Sequence, residues 1–122
     1  MKPLLLVVED ELLVRMDLVD LAEEAGFTTL EAGSAAEAMD ILEHRNDIQV
    51  LFTDIRMPWE MDGLALAHTV RERWPQTTIV ICSGNEPPAA DELPANVTFM
   101  PKPCNGPKID GLLTAIKAEL TP

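Results

Sequence analysis

The sequence predicts an α/β domain built on a parallel sheet, and three observations carry that prediction. Short continuous apolar runs rich in Val and Ile, "LLLVV" (4 to 8), "IQVLFT" (48 to 53) and "TIVIC" (78 to 82), read as central strands covered on both faces. Between and after them the apolar spacing becomes helical, so strand and helix alternate along the chain with right-handed crossovers. At 122 residues the chain is one domain, spanning 1–122, long enough to bury roughly two thirds of its unfolded surface.

The elements follow in order. The first strand runs into "EDE" at 9 to 11. Residues 11 to 25 form the first helix, with Leu13, Met16, Leu18, Leu21, Ala22 and Ala25 read as its core-facing stripe. Gly26 follows where a helix C-terminus takes a left-handed residue. "FTTLEA" (27 to 32) is a weaker, partly polar strand suited to a sheet edge. Ser34 with Glu37 three residues later is a capping-box signature, and Ala35, Ala38, Met39 and Leu42 continue a second helix over 34 to 45. The strand at 48 to 53 stops at Asp54, and a third helix runs from Gly63 to Trp74, before Pro75. The strand at 78 to 82 precedes Ser83. In "NEPPAADELP" (85 to 94), three prolines confine the fourth helix to a short or irregular element of about two turns. "NVTFM" (96 to 100) is a second edge-type strand, and Ile109, Leu112, Leu113, Ile116 and Leu120 mark the last helix.

Composition narrows the function. A hydrophobic fraction of 47% with mixed charges belongs to a globular chain. Nine Lys+Arg against 21 Asp+Glu give a net charge of −12, which repels phosphate backbones, so direct nucleic-acid binding is not expected and the partners are proteins or cations. No apolar run reaches the roughly 20 residues of a membrane span, and the N-terminus lacks a signal-peptide cleavage site, which predicts a cytoplasmic protein with no membrane contact. Cys82 and Cys104 lack metal spacing and read as reduced thiols without a role; His44 and His68 read as surface residues.

In an open parallel sheet, ligands bind beyond the carboxyl ends of the strands. That edge collects Glu9, Asp10, Asp54, Ser83 and Lys102. Taken singly, the acids could cap a helix, Asp54 could start a turn, Ser83 could be turn chemistry and Lys102 a solvated charge. Together they make a different pattern. Three carboxylates in a partly desolvated cleft repel unless a cation intervenes, and Mg²⁺ is the natural one because it takes oxygen ligands and keeps several waters. Asp10 and Asp54 are the expected direct ligands, with Glu9 acting through water, while Lys102 and Ser83 face the oxygens of a phosphoryl group on or next to Asp54. Such a set is a phosphoryl-transfer pocket.

These residues resemble the receiver domains of two-component response regulators. The resemblance rests on "VVEDE" (7 to 11), "TDIRMP" (53 to 58), "CSG" (82 to 84) and "FMPKP" (99 to 103), and it covers the full chain. It implies a flavodoxin-like (βα)5 doubly wound sheet in the order 2-1-3-4-5. It also implies that Asp54 accepts a phosphoryl group from a sensor histidine kinase or phosphotransfer protein with Mg²⁺ bound, and that water later removes it. The protein would catalyse at most its own phosphorylation and autodephosphorylation, and would signal to a downstream protein target. The backbone carbonyl of Arg56 would be a third protein ligand, Lys102-Pro103 a cis bond, and Phe99 the occupant of a switch position often held by Tyr. Two readings compete. A haloacid-dehalogenase-like phosphatase also uses an Asp nucleophile, Mg²⁺ and a Lys, but needs a second Asp where Arg56 stands. A flavin-binding module of similar topology lacks its phosphate loop after the first strand.

Overall fold

Residues 2–54, 63–83, 97–101 and 106–120 are described by the structure, a computed structural model. They form β1 (Leu4–Val8), α1 (Leu12–Glu24), β2 (Thr28–Ala32), α2 (Ala35–His44), β3 (Ile48–Asp54), α3 (Gly63–Arg73), β4 (Thr78–Ser83), β5 (Val97–Pro101) and α4 (Gly106–Leu120). All strand pairings are parallel, in the order β2-β1-β3-β4-β5. The two partly polar strands therefore stand at the edges, as their composition predicts, and the apolar runs fill the middle. The proline-rich stretch at 85 to 94 lies outside the described residues.

Alternation along the central strands builds two cores. Leu6, Val8, Leu51, Ile79 and Ile81 face Ala35, Ala38 and Leu42 of α2 and Leu66, Ala67 and Val70 of α3. Leu5, Val7, Val50, Phe52, Val80 and Cys82 face Ala22 of α1 and Ile109, Leu113 and Ile116 of α4. Helices thus cover both faces, so the sheet is doubly wound and neither face of a central strand needs polar residues.

The stripe expected on α1 is corrected. Leu13 is 77% exposed and Met16 52%, and Leu12 before them is 57% exposed. At about 100° per residue both Leu13 and Met16 fall roughly opposite Leu18, while Leu18, Leu21, Ala22 and Ala25 keep the inward face.

Helix ends position the loops. At the end of α1, Phe27 N donates to Ala22 O and Gly26 N to Glu23 O, each at 3.0 Å, the paired bonds of a Schellman motif. Gly26 carries φ 102°, as its placement predicts. Gly26→Ala is therefore expected to cost about 1–2 kcal/mol, the penalty of a left-handed backbone with a Cβ. The new methyl also meets the flexible end of Lys117, which must swing aside. Urea unfolding measures the loss. The start of α2 carries the expected cap, with Glu37 N donating to Ser34 Oγ at 3.1 Å. The Glu37 carboxylate returns one residue earlier than in the standard box, accepting from Gly33 N at 3.2 Å.

Candidate functional site at the carboxyl edge of the sheet

Register decides which residues meet at the strand ends. Val8 pairs with Thr53, so Glu9 and Asp54 follow side by side, Asp54 itself pairs with Cys82, and Ser83 pairs with Pro101 immediately before Lys102 in the chain. The expected acids and hydroxyl-bearing residue thus come from adjacent strands of one edge. Asp54 is half-buried at the end of β3, and Asp10 is exposed in the turn after β1.

Glu9 is only 4% exposed. Its backbone N donates to Ala32 O at 3.0 Å, which extends the β1–β2 pairing past Val8. One carboxylate oxygen, Oε2, accepts from Glu11 N at 3.0 Å. The acidic run is not an ordinary helix cap: Glu11 is the N-cap residue of α1 and makes no side-chain capping bond, and no acid stands in the first turn. Among the described residues no three His, Cys, Asp or Glu side chains form a metal-binding group, and the Glu9 carboxylate folds back onto its own loop through Glu11 N.

Two contributors were not legible in the sequence. Thr53, fully buried, donates its Oγ1 hydrogen to Asp54 O at 2.9 Å and so fixes the peptide group of Asp54. In the sequence it is an ordinary β-former within an apolar run. Arg15, on α1, donates from Nη1 to Glu9 O at 2.9 Å and from Nε to Glu31 Oε1 at 3.1 Å. Its partners are a backbone carbonyl and a side chain 16 residues away, which no local pattern announces.

The remaining expectations divide. Phe99 is partly buried on β5, packed against the core that includes Leu66 and Ile81. Ser83 ends β4, its backbone described and its side chain not. Arg56, Lys102 and Pro103 lie outside the described residues, and the cis bond with them. Cys82 is disulfide-bonded, which corrects the reading of it as a reduced thiol, and no free cysteine stands among the described residues. Both histidines are exposed. The His44 pKa is raised above its ordinary value, chiefly by the bond of its Nδ1 to Asp40 O and then by the Asp40 charge. No helix among the described residues is long and apolar enough to cross a membrane.

Fold and edge chemistry define a small α/β domain with acids gathered where parallel sheets bind ligands, and comparison with known proteins gives the family. The model of the response regulator receiver domain matches residues 5–114. A sensor kinase, CckA of Brucella abortus (strain 2308), is 36% identical over 119 residues, covering 94% of this chain and 12% of that protein. The aerobic respiration control protein ArcA of Escherichia coli (strain K12) is 39% identical over 71 residues, covering 58% of this chain and 29% of its own. The chain thus spans a small part of these relatives. Among solved structures, the receiver domain of the hybrid histidine kinase CckA superposes with a TM-score of 0.75 at 32% identity, covering 97% of this chain and 99% of that one. A response regulator receiver protein from Sinorhizobium medicae WSM419 gives 0.82 at 25% identity, covering 95% and 97%. This chain belongs to the response regulator receiver domain family, the signalling domains of two-component systems. The phosphatase and flavin readings find no support in these matches.

Proposed function

We propose that this receiver domain takes a phosphoryl group onto the Asp54 carboxylate from a phosphohistidine of a sensor kinase or phosphotransfer protein, with Mg²⁺ bound at the same edge. One observation carries the reading: the register that sets Asp54 beside the Glu9–Asp10 turn on one side and the end of β4 on the other. The donor set fits the metal. Carboxylate oxygens suit a hard divalent ion, and Mg²⁺ commonly binds through one or two carboxylates with water completing its shell, so a three-acid cage is not required. Asp10 and Asp54 would be direct ligands, Glu9 would act through water, and the Arg56 carbonyl would add a further oxygen. When bound, the ion neutralises charge on the phosphoryl oxygens.

The chain's own residues do the rest. An Asp54 oxygen bonds to phosphorus as the phosphorus–nitrogen bond to imidazole breaks, and the released imidazole takes up a proton. Lys102 and Ser83 then hold the transferred oxygens, and the packing of Phe99 follows their new positions. Water attack on phosphorus later returns the carboxylate and inorganic phosphate, so the domain turns over only its own phosphoryl group. A donor would meet exposed Leu12, Leu13 and Met16 directly after the acidic turn, an apolar patch suited to protein contact. The output is likewise protein contact, through α4 and β5, since a net charge of −12 disfavours nucleic acid.

Incubation of the protein with a small acyl phosphate and Mg²⁺ tests the reading through intact mass. The expected result is a gain of one phosphoryl group that a metal chelator prevents. An unmodified mass under both conditions would overturn it.

A further inference from the structure

The turn between β1 and α1 is held by a device that the family assignment does not explain. Asp10 lies between two peptide groups, and each is pinned. The carbonyl of the peptide before it belongs to Glu9 and accepts from Arg15 Nη1 at 2.9 Å. The N–H of the peptide after it belongs to Glu11 and donates to Glu9 Oε2 at 3.0 Å. Fixing both planes fixes the direction in which the Asp10 Cα–Cβ bond leaves the backbone. Arg15 is itself anchored, since its Nε donates to Glu31 Oε1 on β2 at 3.1 Å and its side chain is 18% exposed. A planar guanidinium serves two acceptors in fixed relative geometry, which a lysine ammonium does not. The backbone of Gly33 leaves room for it, because a Cβ there would lie 2.8 Å from Arg15 Nη1.

We propose that Arg15 is a positioning residue for the divalent-cation site: anchored by Glu31, it holds the Glu9 carbonyl and thereby aims the Asp10 carboxylate across the strand ends toward Asp54. The inference rests on the reading of this edge as a phosphoryl-transfer site. Its sign separates it from plain electrostatics. A positive charge close to a cation site repels the cation, so removing Arg15 for charge reasons alone should tighten Mg²⁺ binding. Positioning demands the opposite.

The test is a Mg²⁺ titration of the unphosphorylated full chain, followed by amide chemical shifts, which also report whether each variant is folded. Arg15→Ala is expected to weaken binding by about tenfold, the scale on which residues supporting a metal ligand act. Arg15→Lys should recover little of that loss despite keeping the charge. Glu31→Gln and Gly33→Ala, which loosen or displace the guanidinium without deleting it, should each weaken binding by a smaller factor. Should Arg15→Ala not fold, these last two variants decide. Unchanged or tighter binding in the folded variants would overturn the proposal. Asp10→Asn in the same titration separates the two levels. If it too leaves binding unchanged, the metal-site reading fails and the inference with it. If it alone weakens binding, only the inference about Arg15 fails.

Discussion

Asp10→Asn is expected to weaken Mg²⁺ binding tenfold or more while leaving the unfolding midpoint unchanged or slightly raised. Two unit charges about 4 Å apart near a protein surface interact by about 4 kcal/mol, and each factor of ten in affinity takes about 1.4 kcal/mol. Even with most of that Coulomb energy screened by solvent and shared with the remaining oxygens, a tenfold loss remains. Stability moves the other way because Asp10 is exposed between two further acids, Glu9 and Glu11, and its neutral isostere relieves like-charge repulsion. A calorimetric Mg²⁺ titration paired with urea unfolding reads both effects. Metal affinity that survives the substitution would remove Asp10 from the site.

Phe52→Ala carries the largest expected stability loss, about 3–5 kcal/mol. Phe52 is 2% exposed, near the carboxyl end of the central strand β3, in the core that also holds Leu5, Val7, Val80, Ile109 and Leu113. Truncation removes the transfer energy of a buried ring and leaves a cavity between sheet and helices that close packing prevents from collapsing fully. Against a total of roughly 5–15 kcal/mol for a domain, the variant should be close to unfolded at moderate urea concentrations. Phe52→Leu should lose much less, since it keeps most of the apolar volume. A loss below about 1 kcal/mol for the alanine variant would show that this core is not packed as described.

Most of the fold was legible because parallel strands covered on both faces must be continuously apolar, and "LLLVV", "IQVLFT" and "TIVIC" have no other economical reading. Even the edge positions of β2 and β5 followed from their polar residues. The inward face of α1 was not legible. Its leucines and Met16 are spread around the helix, so periodicity alone could not tell the buried Ala22 side from the exposed Leu13 side. That Asp10, Asp54 and Ser83 come to one edge of the sheet was legible because each ends or closely follows an apolar strand, and parallel strands align those ends. Arg15 and Thr53 were missed because their work is done on backbone carbonyls, those of Glu9 and Asp54, which carry no signature in the sequence. The state of Cys82 was misread for a similar reason: pairing depends on spatial neighbours, and two cysteines 22 positions apart in the sequence give no geometry.

The central claim is that Asp54 ends a buried strand because its carboxylate receives the phosphoryl group there. The most direct test compares the intact masses of wild type and Asp54→Asn after incubation with a small acyl phosphate and Mg²⁺, with amide spectra confirming that both are folded. Asn keeps the size and most of the hydrogen bonding of Asp but offers no carboxylate oxygen to phosphorus. The account predicts a gain of one phosphoryl group in wild type and none in the variant; an equal gain in both would contradict it and place the acceptor elsewhere.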